Sequence, residues 1–380
     1  MKPKKIPITL LSGNSGAGKS TLIRAVLSQN HPYRVALINL DMGSRTIDPA
    51  LFASPDLLIT TDERVISADD DLAFFAYVKN LMKIMMELYR SQDFDTLMIE
   101  LSGEYPVDDV LQALLYSDDA LSESLRNAYR IDSVVSLINA LELWTTMNQE
   151  LMVSNTENST ELFKQSIRYI ESSNVVLLTH TEVMDLPSVQ QTQEFIALLQ
   201  PTARVIKSHY GNNLPYRAVL HTHLFDEEAT PSPMEPTVDQ RYHDEGLNTF
   251  VFRCHRPFHP RRLAEFFEHF PLTTLRTKGA FWVATQPDIA FVLSQVGSNV
   301  EISVGGEWIA SQSPELLELI HSEGMDENMG WDSEYGDRIN ELLFIGYQQP
   351  IKSIRTHLLD CLYDEEQDFL DDVEDPFDVD

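Results

Sequence analysis

Short, continuous apolar runs recur along the first 200 residues, and stretches with helical spacing lie between them. The segments STLIRAVL, FFAYVKNLMKIMMELYR and TQEFIALL place apolar residues three or four positions apart, as in an amphipathic helix. The strand-like runs are PITLL near residue 9, RVALIN near 36, DTLMIE near 97, DSVVSLI near 135 and NVVLLT near 176. Continuous apolar strands that alternate with helices predict an α/β fold with a doubly wound, mostly parallel sheet over residues 1–225.

The pattern changes near residue 225, where DEEATPSPMEPTVDQ is acidic and contains three prolines. We expect residues 226–245 to be a linker. Beyond it, strand-like runs such as NTFVFRC and GAFWVAT accompany helical segments such as RRLAEFFEHF and SPELLELIHS. This order predicts a smaller α+β domain with mixed strands over residues 246–365. Residues 366–380 form an acidic tail that we expect to be frayed.

Composition narrows the function. The chain has 380 residues, too many for one ordinary core, and a formal net charge of -31. Such a charge argues against nucleic acid as a partner, because binding its phosphates requires a basic face. It also argues against binding to anionic membranes. The two cysteines, Cys254 and Cys361, are far apart in sequence, so we expect no disulfide framework and a cytoplasmic location. No apolar stretch has the length of a membrane span or a signal peptide.

Residues 13–20 read GNSGAGKS and match the phosphate-binding pattern G-x-x-x-x-G-K-[ST]. A predicted strand precedes the pattern and an amphipathic helix follows it, as in a P-loop. The glycines allow successive N–H groups to point inward, and the helix N-terminus faces the phosphates. We expect Lys19 to reach the β- and γ-phosphates and the Ser20 hydroxyl to ligate Mg²⁺. The predicted nucleotide contacts here are Gly13, Ser15, Gly16, Ala17, Gly18, Lys19, Ser20 and Thr21.

Two acids follow predicted strands. Glu100 ends DTLMIE, and Gly103 follows three residues later. We expect Glu100 to hold Mg²⁺ through a water and Gly103 to donate its N–H to the γ-phosphate. Asp41, just beyond the second strand, is a candidate Mg²⁺ ligand, although an ordinary Asp-Met-Gly turn fits the sequence nearly as well. Lys19, Glu100 and Asp41 are therefore the candidate catalytic residues.

These segments together resemble the CobW family of P-loop GTPases. The resemblance extends from about residue 6 to about 365 and is closest to the zinc-responsive bacterial branch, which comprises metal chaperones produced during zinc starvation. It implies a GTPase domain, a CobW C-terminal domain, GTP or GDP with Mg²⁺ as ligands, and a client metalloprotein as partner. The matching segments are GNSGAGKST, ALINLDMGSRTID, TLMIELSGEYPVDDV, RIDSVVSLINA, SNVVLLTHTE, FVFRCHRPFHPRRL, RTKGAFWVAT, GGEWIA and GDRINELLFIG.

Two features of that family are altered here. The family has a Cys-x-Cys-Cys metal motif after the first switch, whereas the corresponding segment LLITTDERVISADDDL contains no cysteine. Since thiolates are soft, anionic zinc ligands, we expect this chain not to bind zinc tightly. Asp69, Asp70 and Asp71 would suit a hard cation only weakly, and a solvated helix start explains them better.

The second alteration concerns the base-reading motif, which is usually Asn/Thr-Lys-x-Asp. The chain reads Thr179-His180-Thr181-Glu182, so the carboxylate is retained on a longer side chain. The resemblance implies base contacts from Thr179, His180 and Glu182. It also implies a contact from His209, within SHYGNN, in the place of the last base-contacting loop. A base site with little selectivity is the alternative.

Two other groups of residues contain possible metal ligands. His221 and His223 alternate as on a strand and would then face one side, although surface histidines explain them better. Cys254, His255 and His259 fall in FRCHRPFHP, which the resemblance assigns to a structural strand–helix junction.

Together the sequence favours a Mg²⁺-dependent GTP-binding protein whose GTPase activity is slow, because no glutamine or arginine finger can be assigned. Two alternatives remain. One is a nucleotide-gated binding module without catalysis, and the other is an ATPase.

Overall fold

The computed structural model describes residues 5–39, 57–61, 70–91, 93–101, 103, 105–117, 120–152, 157–208, 214–227, 240–242, 246–322, 324, 330–366, 368 and 375–377. The chain divides into two compact units. Unit 1 comprises residues 1–145 and 164–228, and unit 2 comprises residues 146–163 and 229–380. Most of the expected linker, 226–245, lies outside the described residues.

Unit 1 is built on a seven-stranded parallel sheet with the strand order β3-β2-β4-β1-β5-β6-β7. The chain runs from β1 to β2 and β3, returns to place β4 between β2 and β1, and then adds β5, β6 and β7 on the other side of β1. Every ladder is parallel, which confirms the doubly wound fold. The strands are β1 Ile6–Gly13, β2 Val35–Asn39, β3 Leu57–Thr61, β4 Thr96–Glu100, β5 Tyr129–Asn139, β6 Val175–Thr179 and β7 Arg204–Lys207.

Seven helices accompany these strands in the described part of the chain: α1 Lys19–Leu27, α2 Asp70–Ser91, α3 Val107–Tyr116, α4 Ala120–Ala128, α5 Ala140–Leu151, α6 Glu157–Glu171 and α7 Leu186–Leu199. Every residue of β2, β4 and β6 is buried, which is why those strands read as unbroken apolar runs. Helix α1 contributes Leu22, Ile23 and Val26 to the same core. The core therefore holds the C-terminal ends of β1, β4 and β6 in fixed positions.

Unit 2 contains a six-stranded sheet with the order β12-β11-β10-β13-β9-β8. Every ladder between these strands is antiparallel, so the mixed strands predicted from the sequence are not found in the described residues. Short connections explain the difference, since β11 and β12 are joined by Gly297 and Ser298, with Gly297 at φ +56°. The strands are β8 Gln240–Tyr242, β9 Leu247–Cys254, β10 Thr274–Phe281, β11 Ile289–Val296, β12 Asn299–Glu307 and β13 Asn340–Tyr347.

In the described part of the chain, three helices lie wholly within this unit: α8 Pro260–Glu268, α9 Pro314–Ser322 and α10 Ile351–Asp360. Helices α8 and α10 pack apolar side chains into one cluster with β9, β10, β11 and β13, in which Phe250 and Phe344 stack at 4.6 Å. Phe377 of the tail joins this cluster and is only 8% exposed. The prediction of a frayed tail is therefore wrong for residues 375–377. No helix in the described residues has the length and low charge that crossing a membrane requires.

Candidate functional site

The loop between β1 and α1 owes its shape to three glycines with positive φ. Gly13, Gly16 and Gly18 have φ of +130°, +80° and +104°, a region that other residues rarely adopt. A Cβ at Gly13 would lie 2.3 Å from the Leu137 carbonyl oxygen of β5, whereas a Cβ at Gly16 would meet nothing within 4 Å. Gly13 is therefore required for close packing on β5, and Gly16 faces open space that a ligand can fill.

Lys19 lies across the start of this loop. Its side chain is 5% exposed, and Nζ donates to the Gly13 carbonyl at 2.7 Å and to the Asn14 carbonyl at 3.4 Å. Lys19 is also the first residue of α1, whose N-cap Gly18 provides no side-chain cap. First-turn N–H groups and an ammonium consequently lie together, and both are donors suited to an anion.

Hydroxyl groups surround this positive end of α1. Ser15, Ser20 and Thr21 are all exposed. A serine hydroxyl at the second helical position is an oxygen donor of the class that Mg²⁺ prefers. The loop residues therefore fit a phosphate chain with its magnesium ion.

Asn14, which the sequence pattern treats as a variable position, holds the loop from within. It is 8% exposed, and Nδ2 donates to Glu142 Oε1 of α5 at 2.7 Å and to Ser166 Oγ of α6 at 3.2 Å. These bonds join the loop to two helices more than 120 residues away in sequence. Sequence reasoning missed this contact, because nothing local to Asn14 indicates its partners.

Glu100 is the last residue of β4 and is 1% exposed. In the sheet it pairs with Leu11 of β1 on one side and with Asn39 of β2 on the other. The carboxylate residue is therefore two positions from Gly13 in strand register, on the edge that carries the loop. Asp41, its predicted companion, lies outside the described residues.

Gly103 is held from a different helix. Its carbonyl oxygen accepts a hydrogen bond of 3.0 Å from the Tyr169 hydroxyl of α6. A Cβ on Gly103 would lie 3.4 Å from that hydroxyl. The predicted switch glycine is therefore packed under Tyr169, a contact that the sequence did not indicate.

A cavity of about 140 Å³ adjoins the loop. Thr179 and His180, from the altered base motif, form part of its wall, together with Gly16, Gly18, Thr21 and Ser208. The Thr179 hydroxyl donates to the Ala17 carbonyl at 3.1 Å, so the end of β6 is joined directly to the loop. Residues of the glycine loop and of the base motif therefore line the same cavity.

The remaining base-motif residues are placed differently. His180 has φ +60° and its Nδ1 lies 3.1 Å from Thr179 Oγ1. Glu182 is exposed in the short 3-10 turn Thr181–Val183 and is not among the residues that line the cavity. His209 lies outside the described residues. The arrangement brings Thr179 and His180 to the site and leaves the carboxylate of Glu182 outside the cavity wall.

His221 and His223 do not lie on a strand. Both have positive φ, +54° and +55°, in a turn that wraps around the fully buried Asp132. The imidazole of His221 stacks on Tyr33 at 3.8 Å, and His223 Nδ1 lies 3.1 Å from a guanidinium nitrogen of Arg130. The strand-like alternation expected from the sequence is wrong here, because a backbone with positive φ does not give the alternating side-chain directions of a strand.

His255, His259 and Cys361 of unit 2 occupy structural positions. His255 Nδ1 lies 2.8 Å from the Arg338 carbonyl oxygen, and His259 is the N-cap of α8. Burial lowers the pKa of His259 and raises the pKa of the Cys361 thiol to about 11. Both cysteines are free thiols. Among the described residues, no group of three or more His, Cys, Asp or Glu could hold a metal ion.

Comparison with known families agrees with this geometry. Residues 7–207 match the CobW/HypB/UreG nucleotide-binding domain. The chain belongs to the CobW/HypB/UreG nucleotide-binding family. Residues 247–362 match the cobalamin synthesis protein cobW C-terminal domain, so both halves of the predicted resemblance are confirmed. The match ends before the acidic tail.

Individual relatives are distant but extensive. The chain is 26% identical to zinc-regulated GTPase metalloprotein activator 1 of Dictyostelium discoideum, over 94% of this chain and 80% of that protein. It is 24% identical to the zinc chaperone YjiA of Escherichia coli, over 74% of this chain and 84% of that protein. It also aligns with a crystal structure of Zn(II)-bound YjiA GTPase from E. coli, with a TM-score of 0.41 and 20% identity over 95% of this chain and all of that one.

Proposed function

We propose that this protein binds GTP with Mg²⁺ in the loop of residues 13–21 and hydrolyses it slowly. The observation that carries the proposal is the position of the buried Lys19 ammonium against the carbonyl of Gly13, at the uncapped N-terminus of α1. Membership of the CobW/HypB/UreG family supports it. A phosphate chain would replace the two carbonyl contacts of Lys19 with stronger, charge-assisted ones.

Each predicted residue has a distinct task in this proposal. Loop N–H groups and Lys19 would bind the β- and γ-phosphate oxygens, and Gly103 would donate its N–H to the γ-phosphate. Ser20, Asp41 and Glu100 would supply oxygen donors for Mg²⁺, Glu100 through a water. Bound Mg²⁺ would neutralise charge on the phosphate oxygens. Glu100 or Asp41 would also orient the attacking water. No glutamine or arginine finger can be assigned from the sequence, so we expect turnover to be slow.

A single-turnover assay with GTP and with ATP, each with and without Mg²⁺, tests this function. We expect GTP hydrolysis that requires Mg²⁺ and exceeds ATP hydrolysis. Tight GTP binding without hydrolysis would favour the nucleotide-gated module, and preferential ATP hydrolysis would contradict the guanine assignment. The exposed position of Glu182 favours weak guanine selectivity, so competition between GTP and ATP should be measured in the same samples.

The relatives named above carry zinc in their names, and we propose a client metalloprotein as the partner of this chain too. Its own zinc affinity should be low. The segment of residues 57–72 has no cysteine, and Cys361 is buried with a raised pKa, which disfavours the thiolate that zinc requires. Equilibrium dialysis against a moderate chelator tests this. Less than one zinc per ten chains should remain, and stoichiometric zinc would contradict the prediction.

A further inference from the structure

The last described residues of the chain, Asp375–Phe377, lie in an aromatic groove of unit 2. The ring centroid of Phe377 lies 5.6 Å from that of Phe281, 5.9 Å from that of Phe291 and 6.3 Å from that of Phe267. Two of these pairs are T-shaped, a favourable geometry for aromatic rings. A single tail residue is thus bound by side chains from α8, β10 and β11.

Polar contacts fix the residue two positions earlier. Asp375 Oδ2 accepts hydrogen bonds from the Thr285 hydroxyl and from Gln286 Nε2. Asp375 Oδ1 accepts from the backbone N–H of Phe377 at 2.9 Å. The groove therefore recognises two features at once, an acid and a phenylalanine at i and i+2.

The groove is larger than its occupant. A cavity of about 480 Å³ remains beside Phe377, and its wall includes Val300, Ile302 and Val304 of β12. Ile302 and Val304 are 37% and 47% exposed. Strand β12 is also at the edge of the six-stranded sheet. Apolar surface continuous with the Phe377 site is therefore left uncovered, which is a feature of interaction surfaces.

The occupant lies beyond the part of the chain that matches the family domain. The match to the C-terminal family domain ends at residue 362, and the groove is formed by residues inside that match. Of the 18 residues from 363 to 380, ten are Asp or Glu and none is Lys or Arg. The tail thus presents the groove with an acidic segment that contains an aromatic residue.

We propose that this groove is a docking site for an extended acidic segment of a partner protein, with an Asp-x-Phe core and further apolar side chains. The tail of this chain is an internal occupant that competes with the partner. Its three described residues fill part of the groove, so a partner that also covers the β12 side chains has more apolar area to bury. The proposal is independent of the nucleotide site.

Binding of a synthetic peptide tests the proposal. The receptor is the chain truncated after Glu366, and the probe is a fluorescein-labelled peptide with the sequence of residues 366–380. Fluorescence anisotropy should show saturable binding to the truncated chain. Binding to the intact chain should be about tenfold to a hundredfold weaker, because a tethered tail competes at millimolar effective concentration. Equal affinity for the two chains would overturn the proposal.

Two altered peptides test whether docking depends on the aromatic side chain at position 377. A Phe377→Ala peptide should bind the truncated chain at least about tenfold more weakly, because it loses the aromatic contact. A Phe377→Trp peptide should bind more tightly than the natural sequence, since the larger ring extends into the remaining cavity. An alanine peptide that binds as well as the natural one would overturn the proposal.

A second receptor guards against misfolding of the truncated chain. The full-length Asp375→Ala, Phe377→Ala double variant keeps every residue position and should bind the natural peptide as the truncated chain does. Leu359→Ala, which alters an exposed apolar residue of α10, is the matched control and should behave like the intact chain.

Sedimentation of the intact chain is the final test. A dimer that disappears in the double variant would mean that the groove holds the tail of a second copy, which would overturn internal competition.

Discussion

The two sheets of this protein place their polar residues differently. In the parallel sheet of unit 1, Gly13, Glu100 and Thr179 are the last residues of β1, β4 and β6. Parallel strands end at the same edge, so a phosphate loop, a buried carboxylate and a base-motif threonine are gathered there. In the antiparallel sheet of unit 2, successive strands end at opposite edges. One face of this sheet carries phenylalanine side chains, and these side chains surround Phe377.

This difference separates two kinds of site. A site at the edge of a parallel sheet is built from strand ends, backbone N–H groups and charges, and it suits a small anionic ligand. A site on the face of an antiparallel sheet is built from apolar side chains, and it suits a peptide. Variants in one unit should therefore leave the ligand of the other unit unaffected.

The largest effect is expected from Lys19→Met, which keeps the aliphatic stem and removes the ammonium. GTP affinity should fall about tenfold to a hundredfold through loss of a charge-assisted bond, and turnover should fall about a hundredfold or more. Calorimetry and the single-turnover assay measure the two losses. Arg24→Ala, at an exposed position of the same helix, is the control and should change neither. An active Lys19→Met variant would contradict the assignment of this loop.

Gly13 and Gly16 of the loop should differ in how much stability an alanine costs. Gly13→Ala should lower the free energy of unfolding by about 3 kcal/mol or more, because the Cβ would meet the Leu137 carbonyl at 2.3 Å in a left-handed backbone. Gly16→Ala has the backbone strain without the clash and should cost about 1 kcal/mol. Urea denaturation measures both. Equal losses would mean that close packing on β5 is not what requires glycine at position 13.

Phe377→Ala examines the face of unit 2. This substitution should lower the free energy of unfolding by about 1–2 kcal/mol. A Phe→Ala substitution in a closed core costs about 3–5 kcal/mol, and the loss should be smaller here because the groove around Phe377 is only partly filled. Thermal and urea unfolding measure the loss. GTP affinity should stay within about twofold of the unaltered protein, as the independence of the two sites requires. A loss of nucleotide binding in this variant would contradict the expected independence of the two sites.

The smallest effect is expected at the amino edge of the parallel sheet. Arg34 and Asp95 precede β2 and β4, and the Arg34 side chain bonds both carboxylate oxygens at 3.0 and 3.1 Å. These bonds hold the pKa of Asp95 below its ordinary value. Both side chains are more than 40% exposed, so Asp95→Asn should cost less than about 1 kcal/mol.

The pH dependence of that cost follows from the direction of the shift. A lowered pKa in the folded state stabilises the fold above the unfolded pKa of about 3.9. The contribution disappears as pH falls through the lower folded value. The difference in unfolding free energy between Asp95→Asn and the unaltered protein should therefore be larger at pH 7 than at pH 3. Nucleotide affinity should not change, because this pair lies at the edge opposite the loop.

Much of unit 1 could be predicted from the sequence, because its strands are buried on both faces and its loop has an ungapped motif. β3 and β7 were missed. All four residues of β7 are at least partly exposed, so β7 has no continuous apolar run. The β3 segment LLITT has only three apolar residues before two threonines, which is a short signal for a strand. The bonds of Asn14 to Glu142 and Ser166 depend on tertiary contacts that no local pattern carries.

The end of the tail was missed for a different reason. The composition of residues 366–380 predicts an acidic, solvated segment. The structure nevertheless places the side chain of Phe377, which follows Pro376, in an aromatic groove. Ser313 shows the opposite case: a serine just before a helical segment favours an N-cap, and its hydroxyl accepts from the Leu316 N–H at 3.4 Å. A local polar contact could be predicted, whereas a long-range apolar one could not.

In our proposal, the glycine loop and Lys19 bind the phosphates of a guanine nucleotide together with Mg²⁺. Titration calorimetry of GTP into the intact, folded protein with Mg²⁺ measures this binding without an indirect readout. We expect one saturable site per chain, with weaker binding when Mg²⁺ is chelated. No measurable heat with GTP, GDP, ATP or ADP would contradict it.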